Sequence, residues 1–146
     1  MKNKKIIAVI GGNVATTEIY EKAYQVGKII AEKDCIFICG GLGGVMEAAS
    51  KGAKDNNGLT IGILPGTSKQ DANPYIDIPI VTAMSNARNV IIARTCDIAI
   101  AIDGKYGTLS EIAYCLNFGK TVLGIDTYQI EGIIEIEDVE EIRNFL

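Results

Sequence analysis

Five nearly unbroken runs of aliphatic and β-branched residues set the limits on what this chain can fold into. They are Ile6–Ile10, Cys35–Cys39, Leu59–Leu64, Cys96–Ile102 and Thr121–Ile125. A strand with one face in water alternates apolar and polar residues. A continuous apolar run belongs to a strand buried on both faces, as in a parallel sheet covered by helices above and below. The intervening segments carry helical periodicity. Ile19, Ala23, Val26 and Ile30 stripe Thr17–Lys33, and Val45, Ala49 and Ala53 stripe a second helix that stops near Asn56-Asn57-Gly58. Ser85 is expected to cap a helix through Arg94. Leu109, Ile112, Ala113 and Leu116 mark another, closing at Gly119, and Ile133–Leu146 reads as a terminal acidic helix. Ile76–Val81 is a short strand because Pro79 confines it. The alternation predicts one α/β domain: a doubly wound, mainly parallel sheet with helices on both faces.

Composition narrows the chemistry. The 146 residues suit a single domain, and 48% are hydrophobic, enough for a core without disulfides or metals. The absence of histidine excludes histidine bases, histidine metal ligands and Ser-His-Asp catalysis. No metal site is expected. Without tryptophan, and with 6% aromatic residues and no basic patch, the chain offers no platform for a nucleic-acid polymer. The net charge of −4 comes from residues 131–146, which hold six acids against the single base Arg143. The rest holds thirteen bases and twelve acids. Cys35, Cys39, Cys96 and Cys115 form no C-x-x-C pair and read as buried thiols of a cytoplasmic protein. Lys-rich residues 1–5 followed by Ile6–Ile10 imitate a secretory leader, but the apolar run is too short. No stretch reaches the length of a membrane span.

In a doubly wound sheet, ligands sit outside the carboxyl ends of the strands. Four segments converge there: Gly11-Gly12-Asn13, Gly40–Gly44, Thr82–Arg88 and Asp103–Glu111. Glycines admit a ligand close to the backbone, and a following helix start offers free N–H groups and positive dipole, which suits a phosphate. Neither the dinucleotide G-x-G-x-x-G nor the P-loop is present in full. Gly41, Gly43 and Gly44 come nearest, with Met46 in place of the third glycine. Thr108-x-x-Glu111 reads as a capping box. The same loop also brings Gly104, Lys105, Tyr106, Gly107 and the Thr108 hydroxyl to one helix start, the equipment of an anion site. Arg88 stands in the first turn of its predicted helix, where it opposes the dipole. That placement marks it as a partner for a ligand or a carboxylate, and Ser85 opens the same turn.

The motifs Gly40-Gly41-Leu42-Gly43-Gly44-Val45-Met46-Glu47-Ala48, Asn86-Ala87-Arg88-Asn89 and Gly104–Glu111 resemble those of the Rossmann-like "lonely guy" superfamily, once misnamed lysine decarboxylase-like. The resemblance covers nearly the whole chain. It is nearest to the short bacterial branch that resembles molybdenum cofactor carrier proteins. It implies a phosphate held by Gly107 and Thr108, with Arg88 and Glu111 as the catalytic pair wherever an N-glycosidic bond is cut. Asp103 and Lys105 stand where the PGGxGTxxE hallmark has proline and its second glycine, and Asn89 where the hydrolases carry lysine. Those departures favour a binding protein for a phosphorylated, nucleotide-like ligand such as a molybdopterin, with no cofactor required. The alternative is a phosphoribohydrolase acting on a nucleoside 5′-monophosphate. No pyridoxal site for a decarboxylase can be placed. A homodimer or dimer-based homo-oligomer is implied.

Overall fold

The computed structural model describes residues 3–146. Strands β1 (Ile6–Gly11), β2 (Ile36–Cys39), β3 (Thr60–Leu64), β4 (Ile78–Val81), β5 (Ile98–Ile102), β6 (Thr121–Ile125) and β7 (Ile133–Glu135) form one sheet in the order β4-β3-β2-β1-β5-β6-β7. Every neighbouring pair runs parallel. The β1 side chains show why the runs do not alternate. Ile7 and Val9 point into one core and Ala8 and Ile10 into the other, and all four are buried. Helices α1 (Thr17–Glu32) and α2 (Val45–Asp55) cover the first face; α3 (Asn89–Thr95) and α4 (Tyr106–Asn117) cover part of the second. The chain builds outward from β1 to β4, then returns to lay β5, β6 and β7 on β1's other side. Strand order therefore reverses between β1 and β5, where the loops leaving the two carboxyl ends part and open a crevice.

The α1–α2 pair rests on two glycines. A Cβ on Gly27 would lie 1.9 Å from the Ala49 carbonyl oxygen, and one on Gly52 would lie 1.9 Å from that of Tyr24. The helices touch backbone to backbone, and no side chain fits between them.

Three expectations are corrected. The acidic C-terminus is not one helix. Ile133-Ile134 join the sheet as part of β7, and the chain then makes a 3₁₀ turn over Val139–Asn144. Asp138 and Glu141 form the capping box of that turn, and Ile142 is buried against the α1–α2 layer. Acid spacing suggested a helix face, whereas paired β-branched residues and one buried anchor decided the outcome. Ser85 caps nothing: it has φ of +53° and opens a 3₁₀ turn, Ser85–Arg88, ahead of α3. Its own N–H donates to the Pro65 carbonyl. The strand expected from Cys96 starts at Ile98, because the Asp97 carboxylate accepts the Ile6 N–H at 2.8 Å in the place of a strand partner. The four cysteines are free and buried, with Cys35 and Cys39 in one core. No helix among the described residues is long and apolar enough to cross a membrane.

Gly27→Ala is expected to lower unfolding free energy by at least about 2 kcal/mol in urea denaturation, as overpacking does. At an unobstructed helical site alanine gains up to about 1 kcal/mol over glycine. Gly107, where an added Cβ would meet nothing within 4 Å, is the comparison. Equal effects at both positions would refute the backbone contact.

Candidate functional site

At the reversal point lies a cavity of about 440 Å³. Gly11, Gly12 and Asn13 line it from the end of β1, and Asp103, Gly104 and Lys105 from the end of β5. Gly107, Thr108 and Glu111 line it from the first turns of α4. Asn86, Arg88 and Asn89 close a third side. Most of the residues singled out in the sequence are thus brought together. Val14, Met46, Asn86, Asn89 and Asp103 also line the cavity and were not among the candidates. Asn86 and Asn89 flank Arg88 in its motif, so a signal was present. Val14 and Met46 carry no chemistry that a sequence could betray.

Five expected residues stand elsewhere. Ser85 and Tyr106 are exposed and do not line the cavity. Gly41, Gly43 and Gly44 serve behind it. The Gly43 N–H donates to the Asn13 Oδ1 at 2.8 Å. Gly44 has φ of +59°, and a Cβ there would strike the Gly12 carbonyl oxygen at 2.4 Å. A Cβ on Gly41 would meet Leu64. This second glycine loop props up the first.

The capping-box reading of Thr108 and Glu111 also fails. Helix α4 starts at Tyr106 with Lys105 in the N-cap position, and no side chain caps it. Thr108 is already the third helical residue, packed tightly over Gly104, whose φ is +99°. The buried line of α4 runs through Thr108, Glu111, Ile112 and Cys115, while Ala113 faces out. Two polar residues lie on the face that should be most apolar. That places an uncapped helix start, with its free N–H groups and positive dipole, against the cavity.

Arg88 and Glu111 are both buried there, 6% and 8% exposed, and they are treated very differently. The Arg88 Nε donates to the Ile63 carbonyl at 2.7 Å and Nη2 to that of Gly40 at 3.2 Å. Nη1 donates to the Asn89 Oδ1, and Asn89 Nδ2 reaches Ser110 Oγ on α4 at 3.1 Å. Arg88 therefore ties the carboxyl ends of β2 and β3 to the helices. No hydrogen bond joins Arg88 to Glu111; they interact only through charge. The Glu111 carboxyl has no hydrogen-bond partner among the described residues. Burial pushes its pKa up to about 8, against the opposing pull of the Arg88 charge. Below that pH the group is a neutral acid in the cavity wall, able to donate as well as accept.

A second cavity, about 680 Å³, opens beside β6 and β7. Asp126, Glu131, Glu135 and Glu137 line it, and four carboxylates repel an anion.

The native state holds a proton on Glu111 that the unfolded chain releases above its ordinary pKa of 4.5. Stability contributed by this group therefore falls as pH rises from about 4.5 to about 8, by up to about 1.4 kcal/mol per pH unit. Glu111→Gln should match wild type near pH 4.5 and exceed it by more than about 2 kcal/mol at pH 8 in chemical denaturation. Curves that stay parallel across this range would contradict a buried neutral carboxyl.

Residues 4–144 match the profile of the SLOG cluster4 family. The chain belongs to that family. A protein of Archaeoglobus fulgidus described only as uncharacterized is 48% identical over 140 residues, covering 95% of this chain and 92% of its own. Among solved structures, the molybdenum cofactor binding protein from Rippkaea orientalis superposes with a TM-score of 0.93 at 35% identity. The match covers 99% of this chain and 96% of that one. The molybdenum cofactor carrier protein from Chlamydomonas reinhardtii gives 0.85 at 32% identity, covering 94% and 92%. The resemblance read from the glycine, Arg88 and Glu111 motifs is met, and so is the doubly wound fold class.

Proposed function

We propose that this SLOG cluster4 chain is a binding protein for a phosphorylated, nucleotide-like ligand, with a molybdopterin as the cargo that fits best. The observation that carries this reading is the Glu111 carboxyl, which makes no hydrogen bond among the described residues and opens on a cavity that also receives the uncapped start of α4. With its oxygens open to the cavity and unclaimed by the protein, the carboxyl is free to hydrogen-bond a ligand seated there. The cavity volume lies in the range of small-molecule sites, roughly 300–1,000 Å³. The N–H groups of Gly107 and Thr108 would hold a phosphate, and Lys105 at the rim would add charge. Glu111 would pair with a hydroxyl or N–H further along the ligand. The similarity to proteins that bind or carry the molybdenum cofactor supports the class of cargo.

Hydrolysis of a nucleoside monophosphate is the weaker reading. A ribosyl cation-like transition state needs negative charge beside it. A carboxyl protonated at neutral pH does not supply that charge, and Arg88 is engaged by backbone carbonyls. Four unpaired buried thiols fit a reducing compartment, so we place the protein in the cytoplasm.

Mass spectrometry of the protein purified without denaturation, from cells that make the cofactor, should find a pterin phosphate. Gly107→Val should remove it, because a side chain there enters open space beside the helix start rather than striking the protein. The variant should keep the wild-type melting temperature within a few degrees and lose at least tenfold in affinity for AMP or molybdopterin. Unaltered binding by the folded variant would take the start of α4 out of the site.

A further inference from the structure

The protein has six tyrosines, and five of them are engaged. Tyr24 donates to the Asp55 carboxylate at 3.0 Å, and the Lys51 ammonium lies over the Tyr24 and Tyr75 rings. Tyr114 stacks on Phe118, while Tyr20 and Tyr128 pack against the two cores. Tyr106 does none of this. It is 85% exposed, and among the described residues its hydroxyl has no hydrogen-bond partner and its ring no stacking partner. Val14 is the one comparable case, at 83%; no other large hydrophobic residue described exceeds 45%. Scattered singly, such side chains carry no message. These two share one place. Val14 lines the cavity at the strand reversal, and Tyr106 stands between Lys105 and Gly107, which line it too. Their loops leave the adjacent strands β1 and β5 and come together at Gly12, where an added Cβ would lie 3.7 Å from the Gly104 Cα. Val14 and Tyr106 each follow two residues beyond that approach.

We propose that Tyr106 recognises the ring of the bound molecule by stacking on a flat heteroaromatic system, purine or pterin, at the mouth of the cavity. The inference rests on the reading that the ligand's phosphate lies at the start of α4. Position follows from that reading. Tyr106 is the first residue of α4, so its side chain springs from the turn whose N–H groups would hold the phosphate. A ring joined to that phosphate through a sugar or a short chain emerges where Tyr106 and Val14 stand. The walls offer it no alternative. No aromatic residue lines the cavity, and apart from Val14 its one large apolar side chain is the buried Met46. Tyrosine presents a π-face with only two side-chain torsions to fix, so little entropy is lost when it settles on a ligand. No protein contact has to break as it turns, and its hydroxyl can stay in water. Stacking on a π-face tolerates any flat base, and one ring suits a single nucleotide-like unit rather than a polymer.

Calorimetric titration with AMP, neopterin monophosphate and ribose 5-phosphate tests this, because the last carries the phosphate and no heteroaromatic ring. The wild type should bind at least one of the two heteroaromatic compounds about tenfold more tightly than ribose 5-phosphate. Tyr106→Ala should remove at least about fivefold of that preference, the size expected for a base stacked on an aromatic side chain. Tyr106→Phe should restore it, and ribose 5-phosphate should bind all three proteins within about twofold. The chain has no tryptophan, which provides a second readout. Emission from the Tyr106→Trp protein should be quenched by the preferred heteroaromatic ligand and left unchanged by ribose 5-phosphate. Equal wild-type affinity for all three compounds overturns the stacking role and leaves the phosphate reading in place. So does a preference that survives Tyr106→Ala, or emission that ignores a heteroaromatic ligand the protein binds. A wild type that binds none of the three overturns both.

Discussion

Every strand points the same way, and the rest of the molecule follows from that constraint. Parallel strands need crossovers, crossovers put helices on the faces, and all carboxyl ends emerge on one rim. The reversal of strand order between β1 and β5 splits the loops on that rim and leaves room between them. Gly11–Asn13 on one side and Asp103–Lys105 on the other become the walls of a cavity before any residue with chemistry is considered. Hydrogen bonds hold the rim rigid. The Thr127 hydroxyl fastens the Asp103 carbonyl, and Asn13 fastens Gly43.

Arg88 and Glu111 are the two charges this fold takes out of water at that rim, and the contrast between them organises the site. Arg88 donates to carbonyls at the ends of two strands and to Asn89, so its cost is offset by charge-assisted hydrogen bonds. Its role is architectural wherever else it contributes. Glu111 has nothing comparable, and burial drives it toward its neutral form. A neutral carboxyl beside a helix start admits an anion where a carboxylate would repel it. The same feature weakens the case for cleavage chemistry, so one local property favours retention of a ligand over its turnover.

Much of this was legible in the sequence. Continuous apolar runs gave away buried parallel strands, and the glycines closing them located the rim. Helix α4 shows where such reading stops. Apolar periodicity picked Leu109, Ile112, Ala113 and Leu116, whereas the buried line includes Thr108 and Glu111 and leaves Ala113 outside. Hydrophobicity cannot mark a polar group buried against a cavity. Arg88 was legible as anomalous, yet its partners are backbone carbonyls, which every residue owns and no sequence displays. The C-terminal acids misled for a related reason. Their spacing fits a helix, but Ile133-Ile134 joined a sheet edge assembled from residues far away along the chain.

The account depends most on the cavity at the strand reversal being where the ligand sits. Backbone amide chemical shifts of ¹⁵N-labelled protein, followed during titration with molybdopterin or AMP, test that claim most directly. The account predicts the largest shifts at Gly12, Asn13 and Gly104–Thr108, with residues Tyr128–Glu137 beside the acidic cavity little changed. The reverse pattern, with shifts concentrated at Tyr128–Glu137 and none at the start of α4, would contradict it.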